Sequence, residues 1–269
     1  MVPAESGLAA KVWAEVYAAA ESAAEREPKL LGMLDDVVLS RTSLGNAVAV
    51  RLARKLSRRD MNRDDLEPLI RTLLKSNPIV VDCMAADLCA VVERDAACHN
   101  VLEPLLFFKG FHALATYRVA HILWQEGRHL LALLFQSVSS EVFGVDIHPA
   151  AQIGCGILLD HGTGFVVGET AIIENNVSML HEVTLGGTGK EKGGARHPIV
   201  RSGVLIGAGA KVLGRVEIGE CAKVAASSVV LDDVATCTTV AGVPAVQVAV
   251  NAACCKPALG MQQRIDGDI

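Results

Sequence analysis

The sequence predicts an α+β chain: an all-helical N-terminal part, then a parallel β-helix of hexapeptide repeats with one extended loop. Three observations lead there. An apolar residue recurs every six positions through the second half. Aromatic residues are confined to the first part: all but one lie at or before Phe143, Phe165 is the exception, and none follows it. Before about residue 140 the apolar residues instead recur at helical spacing.

The helices follow in order. Leu8 to Glu25 is Ala-rich, with Val12, Val16, Ala19 and Ala23 on one face. Ser43 to Leu56 repeats the pattern, with Ser43 as N-cap. Asp64 or Asp65 is the expected cap of a helix through Leu74, which Asn77–Pro78 ends. Ile79 to Arg94 is the next. Lys109 to Glu126 carries Phe111, Tyr117, Arg118, His121 and Trp124, Gly127 closes it, and His129 to Phe143 continues helically.

From Asp146 the pattern changes. The clearest run begins its repeats at Ile206, Val212, Ile218, Val224 and Val230, with a small or apolar residue four positions after each. Earlier runs start at Ile147, Ile153 and Leu159, and at Val167, Ile173, Met179 and Leu185. The register slips by two between Thr163 and Val167, and an insertion follows Thr188. Each hexapeptide is read as a short strand and a corner, three to a coil, with the first residue pointing into a narrow core. Stacked rungs leave no room for Phe or Trp. A doubly wound α/β domain would need helical patterns between the strands, and residues 147 to 240 have none. The expected division is 1–143 helical, 144–250 β-helix and 251–269 a flexible tail.

Composition narrows the function. Twenty-five basic and 30 acidic side chains give a net charge of −5, without the basic footprint that duplex nucleic acid requires. Arg51 to Arg59 is read as a solvated helix face. No apolar stretch is long enough to span a membrane, and Met1 to Val12 does not read as a secretory signal. The eight cysteines show no CxxC spacing, so buried or idle thiols in a reducing, cytoplasmic compartment are expected.

Two departures from the regular coil mark the expected chemistry. One is Leu159-Asp160-His161-Gly-Thr-Gly. The other is the glycine-rich loop Gly186 to Pro198, whose Lys190, Lys192 and Arg196 can meet an anion, although Walker A spacing is absent. Asp146 lies 15 residues before His161, and a coil of three hexapeptides is about 18 residues, so the two side chains are expected within reach.

These motifs carry a family resemblance. Asp146-Ile-His-Pro-Ala-Ala, Leu159-Asp-His-Gly-Thr-Gly, Val167-Gly-Glu-Thr, Thr184-Leu-Gly-Gly-Thr-Gly-Lys, Arg196-His-Pro and Ala241-Gly-Val-Pro-Ala resemble serine O-acetyltransferases of the hexapeptide-repeat acyltransferase family. Lys109-Gly-Phe-His-Ala-Leu and Tyr117-Arg118 resemble their helical domain. The resemblance implies a left-handed β-helix and transfer of acetyl from acetyl-CoA to the hydroxyl of L-serine, the opening step of cysteine biosynthesis, with no metal. It implies His161 as general base, oriented by Asp146, with Asp95 and Asp160 on the serine ammonium and Arg196 and His197 near its carboxylate. It implies CoA against Gly187, Thr188, Ala208, Lys223 and Ala226, between the subunits of a trimer that pairs into a hexamer. It further implies feedback inhibition by L-cysteine, and insertion of the terminal Ile269 into O-acetylserine sulfhydrylase.

The chain departs from the family pattern at Ala96, where proline is usual, at His99 in place of an acid, at Ala225–Ala226 and at Val246–Gln247. Lys223 reads as an exposed repeat position, and His148 and His181 as packing or surface residues. Other readings stay open: an acyltransferase for a different acceptor, a zinc hydratase using His161, His181 and His197, or a non-catalytic scaffold for the sulfhydrylase.

Overall fold

A computed structural model describes residues 7–189, 193–250 and 256–264. The helical part comprises α1 (Leu8–Arg26), α2 (Leu31–Leu34), α3 (Leu44–Leu56), α4 (Arg63–Ser76), α5 (Pro78–Arg94), α6 (Leu102–Leu106), α7 (Lys109–Gln125) and α8 (His129–Phe143). Ser43 caps α3, its hydroxyl accepting from the Asn46 N–H at 3.3 Å. The cap of α4 is Asn62, not Asp64 or Asp65: its side chain accepts from the Asp65 N–H, and the two aspartates fill the first turn, where the helix dipole favours them. Pro78 opens α5, where its missing N–H has no helical partner to lose. Gly144, at φ 67°, ends α8 in the left-handed conformation and turns the chain directly into the first strand.

The second part is a parallel coil with three flat faces. One face stacks Val145–Ile147, Phe165–Val167, Thr184–Gly186, Lys211–Leu213 and Val229–Val230. The second stacks Gln152–Ile153, Ile172–Ile173, Ile199–Val200 and Glu217–Ile218. The third stacks Leu158–Leu159, Ser178–Met179, Leu205–Ile206, Lys223–Val224 and Thr238–Gly242, and Ala245–Val250 then folds back antiparallel on the last of these. Lys211 faces Val229, a spacing of one three-hexapeptide coil, whereas Val145 faces Phe165, two residues further on. Those two residues are the expected register slip. They enlarge the first coil, and Phe165 turns inward there, fully buried, where a regular rung would exclude a ring.

Helices and coil share one continuous core. The helices also cap the open end of the coil. Its first turn has no earlier turn to accept or donate its backbone hydrogen bonds, and helical side chains take that place. Tyr117 Oη donates to Ala151 O (2.5 Å), and His121 Nδ1 pairs with Pro149 O (2.7 Å). Arg118 Nη2 donates to Gly154 O (2.6 Å), and Asp87 Oδ1 accepts from Ile157 N–H (2.9 Å). Asp87 and Arg118 are themselves a buried two-bonded pair, at 2.8 and 3.0 Å.

Two further expectations are corrected. Cys83 of α5 and Cys155 of the first coil form a disulfide, Cα–Cα 4.7 Å, rather than idle thiols. The fold juxtaposes them across 72 residues, which no local spacing reveals. Cys254 and Cys255 lie outside the described residues. The tail expected to be flexible contains α9 (Pro257–Gly260), which packs with Pro257 and Ala258 buried. Ser178 Oγ donates to Ala258 O (2.9 Å), and Ala258 N–H donates to Gly203 O (3.2 Å).

Gly110, in the first turn of α7, lies so close to Leu159 O that a Cβ would overlap that backbone oxygen. Gly110→Ala is therefore expected to cost about 1–3 kcal/mol of stability by forcing α7 off the coil. A thermal melt reads this directly, and an unchanged Tm contradicts the packing described.

Candidate active site

Three of the expected residues converge where the two parts meet. Asp95 caps the C-terminus of α5, and its Oδ1 accepts from the Ala97 N–H at 2.9 Å, which fixes the carboxylate. Asp160 and His161 leave the third face at a corner of the coil. His161 has φ 57°, as Asn176, Glu182, Cys221, Ser227 and Cys237 have comparable values at other corners, so its left-handed backbone belongs to the coil. It directs the ring outward, and the side chain is 70% exposed. Asp95, Asp160 and His161 line one open depression of about 640 Å³, together with the apolar Val91, Leu158 and Leu159.

The electrostatics are those of two carboxylates and an imidazole. His161 Nε2 lies 3.7 Å from Asp160 Oδ2. Burial pushes the Asp160 carboxyl above the usual aspartate range; the charge of His161 opposes this and that of Asp95 adds to it. A small cation placed between Asp95 and Asp160 relieves their repulsion.

Two more residues share this depression, Lys109 and His181, the second read from the sequence as a packing or surface residue. Lys109, the first residue of α7, hydrogen-bonds Thr163. His181 stands 5.6 Å from His161, ring centre to ring centre and edge-on, with its Nδ1 buried and unpartnered among the described residues. The signal for it was present: Leu159 faces Met179, so advancing His161 by the same coil length lands on His181.

The remaining candidates lie elsewhere on the chain. Asp146 sits on the first face, where its carboxylate accepts from Gln136 Nε2 (2.6 Å); the carboxylate paired with His161 is Asp160. Asp146 is the middle residue of a strand of the first face whereas His161 stands at a corner, and no hydrogen bond or ion pair between them is seen among the described residues. Arg196 and His197 follow the glycine-rich loop and gather around Thr170. Arg196 pairs with Glu169 (2.6 Å), and the Arg196 and His197 N–H groups both donate to Thr170 Oγ1. His197 Nδ1 accepts from the Thr170 N–H, which leaves the neutral ring's proton on Nε2. Burial, then Arg196, holds its pKa below the usual histidine value. The ring packs on Gly168, where a Cβ would overlap it, and stands close to Gly187.

Ala208 and Ala226 occupy one corner on successive coils, the Ser227 N–H donating to Ala208 O (2.8 Å). Thr188 approaches Gly214. Lys223 is buried, not exposed: the C-terminal segment covers it, and its Nζ donates to Gln262 O (3.2 Å) and Arg264 O (2.5 Å). Lys190, Lys192 and Ile269 lie outside the described residues. Among the described residues no three His, Cys, Asp or Glu side chains are grouped as metal ligands, and His197 stands by Thr170, away from the His161–His181 pair.

A hexapeptide coil with an imidazole at one corner and a glycine-rich loop between turns defines the class, a hexapeptide-repeat acyltransferase. Residues 12–116 match the family model described as serine acetyltransferase, N-terminal. The chain is 49% identical over 256 residues to a serine acetyltransferase of Haemophilus influenzae, covering 95% of each, and 47% identical to one of Escherichia coli K12, covering 95% of this chain and 93% of that one. It belongs to the serine acetyltransferase family, enzymes that use acetyl-CoA. Among solved structures, the serine acetyltransferase of Vibrio cholerae superposes with a TM-score of 0.94 at 47% identity, over 96% of this chain and all of that one. A Brucella abortus serine acetyltransferase in complex with coenzyme A gives 0.87 at 48% identity, covering 90% and 96%. A serine acetyltransferase in complex with cysteine gives 0.92 at 49% identity, covering 95% and 98%.

Removal of residues 256–269 is expected to uncover Lys223. Amine acetylation followed by mass spectrometry should label it several-fold faster in the shortened chain than in the full one. Equal rates would contradict the burial described.

Proposed function

We propose that the depression at the junction binds L-serine and that His161 acts as general base for its acetylation. The observation that carries this reading is the meeting of Asp95, from the helical part, with Asp160 and His161, from the coil. The serine ammonium sits between the two carboxylates, and the hydroxyl then faces the imidazole. As the hydroxyl oxygen attacks the thioester carbonyl of acetyl-CoA, its proton passes to His161. The tetrahedral intermediate collapses, the CoA sulfur leaves and takes a proton from the imidazolium, and O-acetyl-L-serine remains. The substrate is the nucleophile, so no acyl-enzyme is needed. Asp160, beside Nε2, stabilises the imidazolium.

Arg196 and His197 lie outside this depression within one chain, as does Asp146. Their proposed parts, grip on the serine carboxylate and orientation of the imidazole, therefore fall to a neighbouring copy, which supports a trimer through the coils. Gly187, Thr188, Ala208 and Ala226 then offer CoA a surface along the coil edge. Lys223 joins them only when the segment over it moves. A hexamer through the helical parts, a cytoplasmic location, inhibition by L-cysteine at the serine site and capture of Ile269 by O-acetylserine sulfhydrylase complete the proposal. The named complexes with coenzyme A and cysteine support the ligands.

His161→Asn is expected to lower kcat by about 10²–10⁴-fold with the KM for acetyl-CoA little changed. Loss of thioester absorbance with serine present measures it, and near-normal turnover would overturn the assignment. Carboxyl ¹³C NMR should place the Asp160 titration above the ordinary aspartate value of 3.8, and saturating L-serine should pull it down, because an adjacent ammonium favours the charged form. A midpoint that serine leaves unmoved removes Asp160 from the ammonium site.

A further inference from the structure

Helix α5 bears Asp95 at its end and Val91 in the lining of the site, so its position against the coil sets part of the serine pocket. It is fastened to the coil at three places. Near its start, Cys83 is bonded to Cys155. One turn on, Asp87 accepts from the Ile157 N–H and pairs with Arg118, which holds Gly154 O. At its end, the Arg94 guanidinium donates to Ser178 Oγ (3.1 Å) and Asn176 Oδ1 (3.4 Å) of the second turn. Two of these fastenings are hydrogen-bonded polar groups inside the protein. The first alone is a redox couple. Cys83 and Cys155 are only half-buried, which leaves the bond within reach of a thiolate.

We propose that Cys83–Cys155 is a thiol–disulfide exchange site whose state sets how firmly α5, and with it Asp95, is held opposite Asp160 and His161. The reactant is a dithiol, small or protein-borne. One of its thiolates attacks a sulfur of the pair and forms a mixed disulfide, expelling the other cysteine as a thiolate. Its second thiol then resolves the mixed disulfide. The protein gains two electrons and two protons, and the dithiol leaves as its own disulfide. The polar fastenings on either side of Cys155 persist, so the reduced enzyme stays folded; without its covalent link α5 tilts as a rigid rod about the Asp87 and Arg94 contacts and carries Asp95 with it. Serine affinity is the quantity that responds, because the ammonium needs both carboxylates. The residues proposed for CoA stand on the coil and its loop, so its KM does not follow. This inference rests on the reading of Asp95 and Asp160 as the ammonium site.

The test uses the full-length chain, oxidised with glutathione disulfide or reduced with dithiothreitol, with the state of Cys83 and Cys155 read by differential alkylation and mass spectrometry. Reduction is expected to raise the KM for serine by about two- to fivefold, reversibly, with kcat and the KM for acetyl-CoA little changed. Cys83→Ser/Cys155→Ser should show the reduced behaviour under both conditions. Free thiols at both positions after oxidation overturn the inference, as does a redox response that survives in the double variant. Serine acetylation at one KM in both states overturns it too, and leaves the reading of the site standing. Absence of serine acetylation in either state overturns that reading, and the inference with it.

Discussion

The structure depends on how the first turn of the coil is capped. A parallel coil satisfies its backbone by stacking each turn on the one before, and the first turn has none before it. An uncovered strand edge invites pairing with another chain. Here Tyr117, Arg118, His121 and Asp87 cover it, each bonded to a main-chain group of the first turn. The Asp87–Arg118 pair is central because it joins α5, α7 and the coil at one point. Removing one partner of such a buried pair leaves an uncompensated charge, typically at a cost of about 3–5 kcal/mol. At the far end Ala245–Val250 pairs antiparallel with the last parallel strand and extends the third face by one strand.

This capping explains where the site lies. Helices that must reach the first turn bring their own polar ends with them, so Asp95 arrives beside the first corner that departs from the repeat. The coil contributes rigidity: Asp160 and His161 follow a strand whose neighbours are set by backbone pairing. The helical part contributes the second carboxylate. Neither part alone presents both, and the serine acetyltransferase reading rests on their junction. The second group, Arg196 and His197 around Thr170, is held by its own hydrogen bonds and does not line the depression at that junction.

The sequence-legible features are those set by local or periodic order. The hexapeptide spacing foretells three faces, and the slip by two after Thr163 foretells the longer first coil that admits Phe165. Asp160–His161 stands out because it breaks a repeat at a corner. What escaped requires knowledge of how distant segments meet. The Asp87–Arg118 pair and the Cys83–Cys155 bond join residues far apart in the chain, and neither has a spacing of its own. Lys223 reads as exposed from its repeat position, since only the folded C-terminal segment buries it. The missed cap of α4 is a local competition: Asn62 precedes two aspartates of similar capping strength, and the helix starts one residue after it. His181 was within reach, because the coil length that relates Leu159 to Met179 relates it to His161.

If the junction between the helices and the coil is a serine site served by His161, bound serine must meet Asp95, Asp160 and His161 together. A crystal structure of the full chain with L-serine tests it most directly. The ammonium is expected within hydrogen-bonding distance of both Asp95 and Asp160, with the hydroxyl directed at the His161 ring. Serine bound away from this depression, or bound in it with its hydroxyl turned from His161, would contradict it.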